Sequence, residues 1–412
     1  MIRDRPSKRV LFLIRAYNDL DHIAPVVWKM VSTGSEVAYL LTADEFPGDY
    51  RIDFFETVGA IRLKSKTIEA YYKGLRNKLG PRPVRSLVDW IVALSFGRLF
   101  LRQHRIRCVV VEWGGADGRA RAPFFLRAAR LTGLPTLSIP HGYHTWLEND
   151  FNEATEATIR ETGRLPQFPD RNRFTRYVVQ SENIKRYCVE SGIKKEKIDI
   201  LGSARFCKEW SELNQSMCAV NNNSSRTIRC DDHKLAVLFF LNHWNYNVDR
   251  GRCLNLLKLI SREKNVKLIV KGHTRGKESG GLSLSEEKAI DSFGNVSYPD
   301  DQVHSPYLVE QSDIVIVYGS SICFEALRQE KPVCLPKFVC PNPTIFDQSG
   351  LVSIADNEDQ VIEVIRTAAK GRQAMPDKKK LEKFFYAHVE GASGTTPVLE
   401  RYSNLISSFL KN

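Results

Sequence analysis

Residues 313–336, DIVIVYGSSICFEALRQEKPVCLP, change their hydrophobic period twice in one short stretch. Asp313 to Tyr318 is a β-branched apolar run that predicts a buried parallel strand. The run stops at Gly319-Ser320-Ser321, after which Ile322, Leu327 and the Phe324-Glu325-Ala326 segment fit a helix. Lys331-Pro332 ends that helix before the next apolar run, Val333 to Leu335. A strand that returns parallel to itself through a helix belongs to an α/β sheet, so this stretch fixes the fold class to be tested along the rest of the chain.

The same turn has chemical meaning. Backbone N–H groups at a helix start, with Ser320 and Ser321 beside them, suit an anion such as phosphate, and Glu325 one turn on suits ribose hydroxyls. An ordinary serine cap fits the same letters equally, so the rest of the chain must decide.

The alternation recurs from the start. Lys8 to Ile14 reads as a strand, Asp19 to Ser32 as a helix and Glu36 to Leu41 as a strand. Residues 83–104 have roughly helical apolar spacing and run into Arg98, Arg102, Arg105 and Arg107. Cys108 to Trp113 is a strand that stops at Gly114-Gly115, and Pro135 to Ile139 is another, ending in Pro140-His141-Gly142-Tyr143. Ligands of open parallel sheets bind beyond the carboxyl ends of the strands, which is where His141 falls; its neutral imidazole could take a proton from an attacking hydroxyl. His144 is a weaker second candidate. Residues 150–172, with Pro166 and Pro169, read as a long loop over a site. Ile198 to Leu201 is a strand closing in the Gly202-Ser203-Ala204-Arg205 turn.

Residues 214–233, containing Asn221-Asn222-Asn223-Ser224-Ser225, lack apolar periodicity and predict a linker. Leu235 to Leu241 restarts the α/β pattern and ends in Asn242-His243-Trp244-Asn245, and Val266 to Val270 ends in Lys271-Gly272-His273. Lys271 and His273 suit a pyrophosphate, although KGH alone is a weak signal. The boundaries expected are therefore a first Rossmann-like domain over 1–213, a linker over 214–233, a second Rossmann-like domain over 234–390, and a C-terminal helix over 391–412 that packs back on the first domain. At 412 residues the chain is long enough for two cores.

Charge and cysteine usage narrow the class further. The net charge is +12, and residues 1–130 hold 23 Lys and Arg against 13 Asp and Glu, a balance that suits an anionic membrane surface or polymer. Nucleic acid is the least favoured partner, since no binding signature accompanies the charge. No apolar run reaches the ~20 residues of a membrane span. The start of the chain carries no apolar signal segment, which predicts a cytoplasmic protein, peripheral on the inner face of the plasma membrane. The nine cysteines are scattered without CxxC or zinc spacing, so free thiols and no metal site are expected.

Two α/β domains with ligand groups at strand ends resemble the GT-B arrangement of glycosyltransferases, in which two Rossmann-like domains face across a cleft. Lys271-Gly272-His273, Ser320-Ser321, Phe324-Glu325 and Lys331-Pro332-Val333 resemble the donor-binding half of bacterial surface-polysaccharide transferases. They are similar both to CDP-glycerol glycerophosphotransferases and to Kdo-transferring capsule enzymes, as are His141-Gly142 and the Gly202 to Arg205 turn. The sequence departs from the first group in having Thr274 after His273, and around its serines.

The resemblance implies roles. Lys271, His273, Ser320 and Ser321 would hold the donor phosphates, Glu325 the ribose, and His141 would be the base at the acceptor, with Gly142, Arg205, His243 and Gly319 as further cleft residues. The donor would be a sugar or polyol on a cytidine or uridine nucleotide, the acceptor a lipid-linked or growing cell-surface polysaccharide, with no cofactor and no metal. The alternatives are a nucleotide-sugar epimerase of related fold, which needs further carboxylates near the sugar, and a non-catalytic glycan- or nucleotide-binding subunit of a polysaccharide assembly complex.

Overall fold

A computed structural model describes residues 8–42, 48–64, 87, 90–112, 122–149, 152–222, 234–273, 280–300, 303–372, 376–392 and 394–411. The chain divides into two compact units, each built on a wholly parallel sheet with helices between the strands. The linker residues 223–233 and the Gly114-Gly115 turn lie outside the described residues.

The first unit comprises Met1–Gly142, Gln167–Cys207 and Ala387–Asn412. Its strands are β1 (Arg9–Ile14), β2 (Glu36–Leu41), β3 (Ile61–Arg62), β4 (Ile106–Glu112), β5 (Thr136–Ile139), β6 (Arg176–Val179) and β7 (Ile198–Ile200), in the order β3-β2-β1-β4-β5-β6-β7. β1 and β4 lie at the centre, and Val10 to Ile14 and Cys108 to Glu112 are buried. A strand covered on both faces must be apolar throughout, which is why VLFLI and CVVV read as unbroken runs. The C-terminal helix Val398–Lys411 packs on the helix Tyr17–Ser32 and on β1 and β4, with the Tyr402 hydroxyl donating to the Gly202 carbonyl at 2.9 Å. Gly202 has φ +86, and a Cβ there would lie 2.5 Å from the Val389 carbonyl oxygen, so glycine is required for that close approach.

The second unit comprises Tyr143–Pro166 and Lys208–Tyr386. Its strands are β8 (Leu235–Phe240), β9 (Val266–Lys271), β10 (Val296–Ser297), β11 (Ile314–Ile316), β12 (Val333–Pro336) and β13 (Ser353–Ala355), ordered β10-β9-β8-β11-β12-β13. In both units the order runs outward in one direction from the first strand and then reverses beside it. Such a reversal splays the flanking loops apart and leaves a crevice at the carboxyl ends of the two central strands. The pairs concerned are β1 and β4 in one unit, β8 and β11 in the other.

Three sequence expectations are corrected. Residues 150–172 are not one loop: Glu153–Thr162 is a helix of the second unit, capped by the Asn152 side chain accepting from Thr155 N–H at 2.9 Å. Residues 214–222 are not a linker, because they complete the helix Lys208–Asn222, which buries Trp210 and Cys218. The chain passes into the second unit at Tyr143 and again at Lys208, and it re-enters the first at Ala387, so the boundaries at 213 and 390 are displaced.

Candidate functional site

The crevice of the first unit collects charge. Arg15 follows β1 directly, Asp19 lies in the first turn of the next helix, and Glu112 is the last residue of β4. Arg15 donates to the Asp19 carboxylate through its backbone N–H at 2.7 Å and through Nε at 3.2 Å, and its Nη2 reaches Glu112 Oε2 at 3.0 Å. The same nitrogen donates to the Glu112 carbonyl. On the other side Glu112 Oε1 is paired with His141 Nδ1. Asp19, Glu112 and His141 present their polar atoms within 4.8 Å of one another. Three such groups could hold a metal ion, but the Arg15 guanidinium already sits on both carboxylates and supplies the positive charge.

Burial controls the protonation of this cluster. Glu112 is fully buried, and loss of solvation pushes its carboxyl well above the ordinary value, with the neighbouring Asp19 charge adding to the shift and Arg15 opposing it. His22, on the following turn of the same helix as Asp19, is pushed down to about 3 by burial and then by Arg205. Held neutral, its Nε2 accepts the Gly142 N–H at 2.8 Å, and the Gln180 side chain donates to the Gly142 carbonyl at 2.5 Å. The turn carrying His141 is thus fixed from both sides, with Gly142 at φ +60. Arg205 pairs with Asp21 at 2.8 Å, and Asp21 is shared with the buried Arg51, which also binds Asp49 at 2.7 and 2.9 Å.

The crevice of the second unit is built differently. Asn242, after β8, donates from its side chain to the Tyr318 and Gly319 carbonyls at 3.2 Å each, tying the ends of β8 and β11 together. The His243 and His273 rings meet edge to face at 5.7 Å. Lys271 is buried and its ammonium donates to the Asp300 carbonyl at 2.6 Å. Ser320 Oγ accepts the Ile322 N–H at 3.4 Å, and Ser321 begins the helix Ile322–Arg328. Gly319 has φ +56, and a Cβ there would fall 1.6 Å from the Trp146 ring, so the indole lies directly on the turn. Tyr143 packs on Phe324 at 4.7 Å, so the segment entering this unit after His141-Gly142 brings two aromatic rings to the Gly319 turn and its helix.

The structure therefore brings His141, Gly142 and Arg205 together in the first unit, and Lys271, His243, His273, Gly319, Ser320 and Ser321 to the strand ends of the second. Glu325, on the helix that follows the two serines, also lines a pocket of about 410 Å³ with Lys208, Glu212, Arg328 and Lys378. His144 is pushed down to about 4 by burial. Sequence reasoning missed Arg15, Asp19, Glu112, His22, Asn242 and Trp146. Glu112 and Asn242 share a usable signal, since each is a polar residue closing an apolar strand.

Solved structures with the same architecture cover nearly the whole chain at low identity. The UDP-GlcNAc 2-epimerase of Neisseria meningitidis, solved bound to UDP-GlcNAc, matches over 98% of this chain and 100% of its own at 17% identity and a TM-score of 0.58. The UDP-GlcNAc 2-epimerase of Methanocaldococcus jannaschii matches over 97% and 99% at 14% identity and 0.58. A glycosyltransferase from Rickettsia africae matches over 99% and 100% at 13% identity and 0.54. No family model matches the chain, and no curated protein matches its sequence. The likeness is one of fold: two parallel-sheet α/β domains of the GT-B type.

Proposed function

We propose that this protein is a glycosyltransferase, or polyol-phosphate transferase, that moves a group from a nucleotide-activated donor to a lipid-linked or growing cell-surface polysaccharide on the cytoplasmic side of the membrane. The observation that carries the reading is the Glu112–His141 pair at the crevice of the first unit. With Glu112 ionised at the working pH, above its raised carboxyl range, its carboxylate accepts Nδ1–H and leaves Nε2 to take a proton from a substrate. The acceptor hydroxyl gives its proton to Nε2 as its oxygen bonds to the transferred carbon or phosphorus. The bond from that atom to the nucleotide's phosphate oxygen breaks, and the nucleotide leaves with the electron pair. His243, His273 and the Ser320-Ser321 turn of the second unit suit the leaving phosphates, Lys271 backs them, and Glu325 suits the ribose. The roles of these residues, the absence of a metal requirement and a cytidine or uridine donor follow the resemblance to the glycerophosphotransferases and Kdo transferases.

A second reading, nucleotide-sugar epimerisation, is favoured by one observation. The acid/base carboxylates that such an enzyme needs are present, as Asp19 and Glu112 beside His141. The neighbours of this type act on or bind UDP-GlcNAc, which makes it the first substrate to try.

Incubation with UDP- and CDP-activated donors, with and without polysaccharide acceptor, followed by NMR of sugar and nucleotide, separates the two. Transfer predicts acceptor-dependent nucleotide release that His141→Ala and Glu112→Gln abolish while nucleotide binding persists. Epimerisation predicts sugar isomers without acceptor. Full turnover in both variants would sink either reading.

A further inference from the structure

The helical segment of residues 90–103 presents two apolar faces, and only one has a partner in the fold. Val92, Ala93, Gly97, Phe100 and Leu101 are buried. Gly97 lets the segment approach the helix Ala122–Leu131 so closely that a Cβ would lie 2.7 Å from that of Ala128, and Phe100 packs on Phe125 at 5.0 Å. The opposite face carries Trp90, Ile91, Leu94, Phe96 and Leu99, each between 40 and 54% exposed, with Leu87 at 61% one turn before them. Isolated exposed apolar side chains are ordinary, but five large ones along one helical segment form a patch that soluble surfaces rarely carry without a partner.

Charge says what that partner is. Arg98, Arg102, Arg105 and Arg107 are exposed at the same end of the segment, and no acidic residue occurs between positions 90 and 111. The Arg127 guanidinium lies 5.5 Å from the Trp90 ring. A second copy docked by two-fold symmetry would set these arginines near their own counterparts, and a nucleic acid has no use for the leucines and isoleucine. Among the described residues no helix is long and apolar enough to cross a membrane.

From this juxtaposition we propose that the exposed side chains of Leu87, Trp90, Ile91, Leu94, Phe96 and Leu99, with Arg98, Arg102, Arg105 and Arg107 beside them, dock the first unit in the plane of an anionic lipid bilayer. Trp90, Ile91, Leu94 and Leu99 enter the headgroup boundary and the guanidinium groups meet lipid phosphates. The proposal stands on the exposed face and its charge, independently of the transfer chemistry.

Flotation of the full chain with vesicles tests it, using phosphatidylcholine alone and phosphatidylcholine with about 30% phosphatidylglycerol, at low and high salt. The wild type is expected to float with the anionic vesicles at low salt and to be released by salt. Arg98→Glu with Arg102→Glu should weaken that binding by more than about twenty-five-fold, taking roughly five-fold for each lost charge. Ile91→Asp with Leu94→Asp should remove it with the thermal melt unchanged, since both side chains are exposed. Failure of the wild type to float at low salt would overturn the proposal. So would equal flotation of the apolar variant, or a dimer that this variant dissolves in the absence of any vesicle binding.

Discussion

The two units share a strand order and differ in what they place where it reverses. The first sets Arg15, Asp19, Glu112 and His141 there, four titratable groups tied into one cluster and partly withdrawn from water. The second sets an amide, Asn242, a glycine turn and an indole there, and its cation Lys271 is buried against a backbone carbonyl. Identical topology therefore supplies a crevice twice and leaves the chemistry to the few residues that close the strands. A buried carboxyl paired with a histidine suits proton transfer, whereas neutral dipoles and close backbone approach suit the cradling of a ligand.

Four measurements break or sharpen that contrast. The largest effect is expected from His141→Ala or Glu112→Gln, each lowering turnover by ~10² to 10⁴-fold while nucleotide binding is kept. A variant of the first unit that lost binding and turnover together would erase the division of labour. Next, Arg51→Ala should destabilise the protein by about 3 to 5 kcal/mol in a denaturant titration, because Asp49 would be left buried without its cation. Gly319→Ala should cost about 1 to 3 kcal/mol through its positive φ and the clash with Trp146. Combining it with Trp146→Ala should cost less than the sum of the two single changes, and strict additivity would mean that the indole does not rest on the turn.

The smallest effect is the net slope of stability with pH in mildly acidic solution, where opposing contributions offset. His22 stays neutral in the fold down to about pH 3, while the unfolded chain takes up its proton near 6.5. Its contribution is complete above 6.5 and is lost as the pH falls, by up to about 1.4 kcal/mol per pH unit. His144, neutral down to about 4, adds a loss of the same sign in the second unit. Glu112 acts oppositely: its raised carboxyl holds a proton that the unfolded chain releases above about 4.5, so its contribution fades as the pH rises. Between about 4.5 and 6.5 the wild type should therefore show a shallow slope. His22→Asn should flatten it and Glu112→Gln should steepen it, as read from melting temperature against pH.

These residues also show how far the sequence was legible. The sheets were readable because a strand covered on both faces leaves an unbroken run, as in VLFLI, CVVV and LAVLFF. His141 was readable because a histidine between proline and glycine at a strand end has no core to fill. Glu112 was not, since it reads as one acid after a valine run, and its partners Arg15 and Asp19 are supplied by the turn and helix after β1, about a hundred residues away. The helix Lys208–Asn222 was hidden by its asparagines and serines, although Trp210, Leu213, Met217 and Cys218 keep helical spacing. Trp146 left its trace elsewhere, in the glycine at 319 that makes room for it.

The claim that most needs testing is that a nucleotide-activated donor is held by the second unit while the first performs the proton transfer. A thermal-shift titration with CMP, CDP, UDP, GDP and ADP tests it on the wild type, Ser320→Ala, Glu325→Ala and His141→Ala. A nucleotide at ~100 times its dissociation constant should add about 2.7 kcal/mol to the native state. The account predicts that one cytidine or uridine nucleotide stabilises the wild type and His141→Ala alike, and that Ser320→Ala and Glu325→Ala lose the shift. Stabilisation by none of the five, or a shift abolished by His141→Ala and kept by Ser320→Ala and Glu325→Ala, would contradict it.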